Sequence, residues 1–154
     1  YTYSNVQYNI EDITTKNTYN APYNLPHDIK FQINHLYNNS WSFGAIWVFT
    51  SGRPTTLPKG KYYFNFLPHE TTTVPIYSER NSISLPNYHR LDLSCKYTFK
   101  QKKNFTHAIS ITIYNAYGKI NPLFYDITYI DDGMAFTYYA FRFLPSISYK
   151  AKIL

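Results

Sequence analysis

The sequence predicts an all-β fold, an antiparallel meander of about six long strands with one apolar and one polar face. Three observations carry this expectation. Two segments around residues 91–99 and 109–114 alternate apolar and polar residues at period two. The short connections fall at one end of the meander and the long ones at the other. No stretch has a convincing helical period, and none approaches the 18 apolar residues of a membrane-spanning helix.

The elements follow in chain order. Tyr1 to Tyr8 reads as a first strand, since Tyr1 and Tyr3 alternate with Thr2 and Ser4. A polar stretch rich in Asn, Thr and Pro runs from Asn9 to Pro26 and reads as a loop. His27 to Tyr37 forms the second strand, with Ile29, Phe31, Ile33 and Tyr37 on one face and Lys30, Gln32 and Asn34 on the other. Asn38, Asn39 and Ser40 supply a tight turn. Trp41 to Ser51 is the third strand, with Trp41, Phe43, Ala45, Trp47 and Phe49 sharing a face.

A long excursion from Gly52 to Tyr88 follows, with a short extended piece expected near Val74 to Ser78. In the fourth strand Leu91, Leu93, Cys95, Tyr97 and Phe99 oppose Asp92, Ser94, Lys96 and Thr98. A basic turn at Gln101–Asn104 leads to the fifth strand, where Ile109, Ile111 and Ile113 oppose Ser110, Thr112 and Tyr114. Phe124 to Tyr129 and Met134 to Phe143 read as an extended hairpin around Asp131-Asp132-Gly133, because Asp-Gly favours a tight hairpin turn. The last strand, Ser146 to Leu154, sets Ile147, Tyr149, Ala151 and Ile153 against Ser148, Lys150 and Lys152.

The apolar face requires an apolar medium, either a protein core or lipid. Charged residues make up only 16% of the chain and aromatics 20%, against about a quarter charged in ordinary soluble domains. Such a balance suits strands whose ends sit at a membrane–water boundary, where a tyrosine ring is buried and its hydroxyl stays wet. A tyrosine-rich secreted sandwich has the same totals. Connection lengths alternate long and short, the layout of an outer-membrane barrel. Strands of about 9–12 residues match the roughly 9–11 of a tilted crossing. In the opposite register of the last strand, Lys150 and Lys152 would face lipid at a cost of about 2–4 kcal/mol each near the midplane. His35 and His107 fall on the apolar face near the tight turns.

Other chemistries lack support. The net charge of +6 is spread along the chain apart from Lys100, Lys102 and Lys103, with no nucleic-acid-binding motif beside it. Cys95 is the single cysteine and behaves as a small hydrophobe among Leu91, Leu93 and Tyr97. His69-Glu70 lacks the second histidine of a zinc-protease helix, and the histidines have no ligand spacing. The expectation is no enzyme, no metal and no cofactor.

The strings WSFGAIWVFTSGRPTTLP, LPNYHRLDLSCKYTF, ISITIYNAYGKINP and FLPSISYKAKI resemble, in this order, the C-terminal barrel of TonB-dependent receptors. The nearest branch is the one with an N-terminal carboxypeptidase-regulatory-like domain, related to SusC-like transporters. The elements that carry the resemblance are Ser51-Gly52-Arg53-Pro54, Pro86-Asn87-Tyr88-His89-Arg90-Leu91-Asp92, Tyr114-Asn115-Ala116-Tyr117 with Asn121-Pro122, and Pro145 before the closing strand. One departure is the ending Ile153-Leu154, where the family closes on an aromatic residue.

The resemblance implies that residues 1–154 are the last ~6 strands of a transmembrane β-barrel of about 22, a size class with a plugged lumen. Fewer than about eight strands do not close a single-chain barrel, so the expectation is an incomplete barrel whose plug and earlier strands lie upstream. The implied function is part of a TonB-dependent active importer of an oligosaccharide, peptide or metal chelate, in the outer membrane of a Gram-negative bacterium. Implied partners are the remainder of the barrel and plug, TonB through the N-terminal part, a surface lipoprotein lid and outer-membrane lipid. Lys30, Gln32, Asn34, Asp92, Lys96, Ser110 and Thr112 are the expected lumen-facing residues. Tyr62, Tyr63, Phe64 and Phe66 are candidate ligand-binding residues in a long loop, with loop packing as their other role. Arg53 and Arg90 are candidates for pairing with Asp92 or with plug carboxylates. The alternatives are a secreted β-sandwich adhesin or carbohydrate-binding module, and a barrel scaffold in a surface complex with no transport of its own.

Overall fold

The structure, a computed structural model, describes residues 1–11, 16–67, 70–100, 105–122, 124–130, 133–139 and 141–153. Its strands in chain order are β1 (Thr2–Tyr3), β2 (Gln7–Glu11), β3 (Lys16–Asn20), β4 (His27–Leu36), β5 (Trp41–Thr50), β6 (Pro54–Thr55) and β7 (Pro58–Leu67). They continue with β8 (Glu70–Tyr77), β9 (Ile83–Ser84), β10 (Tyr88–Thr98), β11 (Phe105–Tyr114), β12 (Phe124–Ile130), β13 (Gly133–Tyr139) and β14 (Leu144–Ile153). Among the described residues there is no helix.

The fold is an antiparallel six-stranded sheet in the order β1-β4-β5-β10-β11-β14. Within this sheet the strands follow one another in chain order, as expected of a meander. The sheet is open, with β1 and β14 at its edges. Short connections at 37–40 and 99–104 join β4 to β5 and β10 to β11. Connections 4–26, 51–87 and 115–143 leave from the opposite end, and each carries its own hairpin: β2–β3, β7–β8 and β12–β13. Asn38 shapes the first short turn, its Oδ1 accepting the N–H groups of Ser40 and Trp41, each at 2.8 Å. The Gln101–Asn104 turn and the Asp131-Asp132 step lie outside the described residues.

Several boundaries differ from expectation. The first strand is not continuous from Tyr1 to Tyr8. It leaves the sheet after Tyr3, where Ser4 N–H bonds the Pro26 carbonyl and Val6 N–H bonds Asn24 Oδ1, and re-pairs as β2 with β3. The stretch 9–26 is therefore part hairpin rather than loop. The extended piece near Val74 is the end of β8, and its partner β7 was not expected. The hairpin around Asp131-Asp132-Gly133 forms, but its second arm ends at Tyr139 and the closing strand begins at Leu144.

The sheet has no conventional core. Buried apolar residues among those described are Ala21, Leu57, Leu85 and Ala108. Ala21, Leu57 and Leu85 lie in the long connections, where Asn24, Ser78, Asn81, Asn115 and Asn121 are buried beside them. Along the main strands many large apolar side chains stay open, Phe31 at 58%, Ile33 at 51% and Ile147 at 69% exposed, while Trp47, Phe49, Leu91 and Ile109 are half-buried.

Candidate functional site

Cross-strand register sorts the sheet into two faces, because paired residues in an antiparallel ladder point the same way. One row runs His35–Phe43–Cys95–Ile111–Ile147, and the next Ile33–Ala45–Leu93–Ile113–Pro145. Beyond His35 and Phe43, these rows form a largely aliphatic band across the middle of one face, made of Ile33, Ala45, Leu93, Cys95, Ile111, Ile113 and Ile147. His35 and His107 lie on this face near the short turns, as the alternation predicts.

Aromatic rings border the band on both sides. At the short-turn end the rings follow one another across four strands. Trp41 stacks on Phe43, and its centroid lies 4.7 Å from that of Tyr97, which meets Phe99 edge-on at 4.8 Å. Phe99 lies parallel to His107 at 4.1 Å, and His107 meets Phe105 and Tyr149. At the long-loop end Tyr1 and Tyr3 pack on His27, Trp47 on Phe49, and His89 on Tyr117. Strands of ten or eleven residues are about 33 Å long at ~3.3 Å per residue. Tilted by ~45° they span about 23 Å, close to the ~25 Å apolar band of outer-membrane barrels.

The opposite face carries Lys30, Gln32, Asn34, Asp92, Lys96, Ser110 and Thr112, all seven of the residues expected to share it. Asn34, Gly44, Ser94, Thr112 and Ser146 form one continuous row. A Cβ at Gly44 would stand 2.5 Å from Ser94 Oγ and 3.1 Å from Asn34 Oδ1, so glycine leaves room for these two polar side chains. Lys30 Nζ lies 3.5 Å from Asp28 Oδ2. Ile46 and Val48 are apolar members of this face, so its polarity is incomplete.

Where the strands run out into the long connections, the motif residues gather into one clasp. Arg90 Nε donates to Asp92 Oδ2 at 2.9 Å, and Arg90 Nη1 donates to the Tyr88 and Tyr114 hydroxyls at 2.8 Å each. The guanidinium also lies over the Tyr114 ring, 4.3 Å from its centroid. Asp92 Oδ1 accepts the Asn115 N–H at 3.0 Å. Asn115 turns the chain with φ +52°, a left-handed conformation that asparagine tolerates. It is fully buried and donates from Nδ2 to the carbonyls of Lys119 and Phe141.

Asn121 extends the ladder with a side chain in place of a strand. Its Oδ1 accepts the His89 N–H and its Nδ2 donates to the His89 carbonyl, at 3.0 and 2.9 Å. Asn87 Oδ1 accepts the Gly52 N–H at 2.9 Å. A Cβ at Gly52 would fall 1.6 Å from the Leu85 carbonyl oxygen, so only glycine lets these two backbones approach so closely. Lys119 Nζ donates to the Asn87 carbonyl at 2.8 Å. Burial pushes the Lys119 ammonium below its ordinary pKa and the Tyr117 hydroxyl above its own. Of the pairings the sequence left open for Arg53 and Arg90, the one with Asp92 is formed by Arg90. Arg53 is exposed, and its carbonyl accepts the Leu85 N–H.

The candidate ligand aromatics lie on β7, opposite β8. Tyr62 and Phe64 share one face of this hairpin and Tyr63 the other, so the set does not form one platform. All three are about half exposed, and Lys61 Nζ sits 5.4 Å from the centre of the Tyr63 ring. The side chain of Phe66 lies outside the described residues. Among the described residues no group of three or more His, Cys, Asp or Glu side chains is placed to hold a metal ion. Sequence reasoning missed Asn24 and Asn81, which cap the other two connections. Asn24 Oδ1 accepts the Val6 N–H, while Asn81, at φ +51°, donates from Nδ2 to the Asn20 carbonyl. Comparison with family models, curated proteins and solved structures yields no match to this chain.

Proposed function

We propose that this chain forms wall strands and external loops of an outer-membrane importer of the TonB-dependent class. The observation that carries the reading is the wide aliphatic band between two aromatic borders, with no layer of described residues over it. In lipid, isoleucine and leucine lose nothing by remaining uncovered, and ring hydroxyls and imidazoles are placed at the headgroup level. The residues that carry the family resemblance support it too, since Gly52, Asn87, Arg90, Asp92, Asn115 and Asn121 act together in one clasp.

On this reading the face bearing Lys30, Gln32, Asn34, Asp92, Lys96, Ser110 and Thr112 lines a plugged lumen. The free edges of β4 and β14 pair with other strands of a larger barrel, because unsatisfied backbone groups are not tolerated in hydrocarbon. The three long connections face outward and contribute to ligand capture. The plug, TonB and a surface lipoprotein lid are partners of the complete receptor.

The test places single cysteines at Ile111 and Thr112 in a Cys95→Ser background, in the bilayer-inserted protein. The reading expects Ile111→Cys to react with a lipid-dissolved reagent and Thr112→Cys with an aqueous one. Lipid labelling at position 112 but not 111, or aqueous labelling of both, refutes it.

A further inference from the structure

The connections 4–26 and 51–87 meet at a second cluster, away from both the clasp and the candidate aromatics of β7. The β2–β3 register puts Tyr8 opposite Tyr19, with ring centroids 5.6 Å apart. Tyr23 stands edge-on to Tyr8 at 6.1 Å and 89°, and their hydroxyl oxygens are 3.0 Å apart. Arg80 reaches over from the neighbouring connection, its guanidinium carbon 4.8 Å from the centre of the Tyr19 ring. Asn81 fixes this approach: its Nδ2 donates to the Asn20 carbonyl at 2.7 Å, and its N–H donates to Thr56 Oγ1 at 2.9 Å. Tyr8, Tyr23 and Arg80 are all exposed.

The cluster is rich in donors and poor in acceptors. Among the described residues no carboxylate lies within ion-pair distance of Arg80. A guanidinium held over a ring offers a planar fork of N–H donors, which suits the two oxygens of a carboxylate. In the Tyr8–Tyr23 pair one hydroxyl donates to the other, leaving one O–H free for a ligand oxygen. The exposed tyrosine rings offer flat apolar faces on which the C–H face of a sugar ring can stack.

We propose that Tyr8, Tyr19, Tyr23 and Arg80 form a binding site for an acidic saccharide, with Arg80 gripping a ring-borne carboxylate and the tyrosines holding the sugar ring. The proposal deepens the importer reading by naming a ligand class, yet the site stands on loop geometry alone. It fails or holds in a binding assay, independently of the cysteine labelling.

The experiment measures binding of a trigalacturonate to the full chain in detergent by titration calorimetry. The neutral trigalactoside and free acetate serve as comparison probes. The expected result is binding of the trigalacturonate that weakens with added salt, and binding of both comparison probes at least tenfold weaker. Charge-assisted hydrogen bonds to arginine are strong enough that Arg80→Ala should lose at least tenfold in affinity. Arg80→Lys, which keeps the charge but not the fork, should fall between, and Lys150→Ala on β14 should bind as the parent does. Unchanged circular dichroism verifies that the variants fold. Equal binding of the neutral trisaccharide, affinity for acetate as high as for the acidic one, no binding of trigalacturonate, or an Arg80→Ala variant of undiminished affinity overturns the proposal.

Discussion

Replacing Asp92 by alanine is the most direct probe of the clasp, because one carboxylate joins β10 to the connection after β11. Its Oδ2 accepts from Arg90 Nε and its Oδ1 from the Asn115 N–H. Asp92→Ala removes both bonds, leaves a fully buried residue with an unpaired amide, and strands the guanidinium over Tyr114. Hydrogen bonds to charged groups contribute roughly 1.5–3 kcal/mol each. The Arg90 and Asp92 side chains are 27% and 23% exposed, so solvent screening reduces the ionic share. The expected net loss is about 2–3 kcal/mol. Asp92→Asn keeps an acceptor for Asn115 and should lose about half of that. Equilibrium urea unfolding from lipid vesicles, followed by the fluorescence of Trp41 and Trp47, reads the loss directly, since both indoles lie on the neighbouring β5. A change of under about 0.5 kcal/mol, the size of an ordinary surface substitution, would refute the clasp as an energetic feature.

Four further outcomes are expected. Gly52→Ala, forced against the Leu85 carbonyl, should cost about 3 kcal/mol in the same assay. Ile111→Lys should destabilise the bilayer-inserted protein by about 2–4 kcal/mol while Thr112→Lys stays near neutral, and equal penalties would remove the lipid assignment of the apolar face. Asn121→Ala leaves the His89 N–H and carbonyl unpaired and should cost about 1–3 kcal/mol; Asn121→Asp, which keeps only the acceptor, should fall between it and the parent. The Tyr117 hydroxyl has its pKa raised in the folded state, so its contribution is fully present below its unfolded value of 10.0 and is lost as pH climbs through the raised value. The stability difference between parent and Tyr117→Phe should be constant from about pH 8, where the bonded His89 imidazole is neutral, to about pH 10 and shrink above it, as measured by urea unfolding across the alkaline range.

The long strands were legible because burial, or its lipid equivalent, stamps period two on them. β4, β5, β10, β11 and β14 each pair an apolar row with a polar one, and register confirms which residues share a face. The hairpins of the long connections left weaker marks. β2 alternates Tyr8 and Ile10 with Gln7, Asn9 and Glu11, but over five residues only. Its partner β3 offers the single aromatic Tyr19 among polar residues, so the period is too short to betray the pair. β7 runs Tyr62-Tyr63-Phe64 with aromatics on both faces, and register shifts between Pro58 and Gly60 and between Asn65 and Leu67 break its period. The Arg90–Asp92 pair was legible from its spacing of two on one strand face. Asn24 and Asn81 were not, because an asparagine that caps a distant backbone group looks in sequence like any loop asparagine.

The two ends of the sheet are held by different chemistry, and the difference follows from what leaves each end. At the short-turn end the chain reverses at once, the ladder needs little extension, and side chains close the edge by ring contact from Trp41 to Tyr149. At the other end three long connections depart, and each breaks a ladder whose last N–H and carbonyl groups would be left unpaired. An amide side chain carries the same donor and acceptor as a peptide bond, so asparagine substitutes for the missing strand with the least change in geometry. Asn121 completes such a broken edge with both donor and acceptor, Asn24 and Asn87 each accept one loose N–H, and Asn115 and Asn81 add the left-handed turn that only a few residues accept. The result is a loop end braced by side-chain amides beside a few buried apolar residues, Ala21, Leu57 and Leu85.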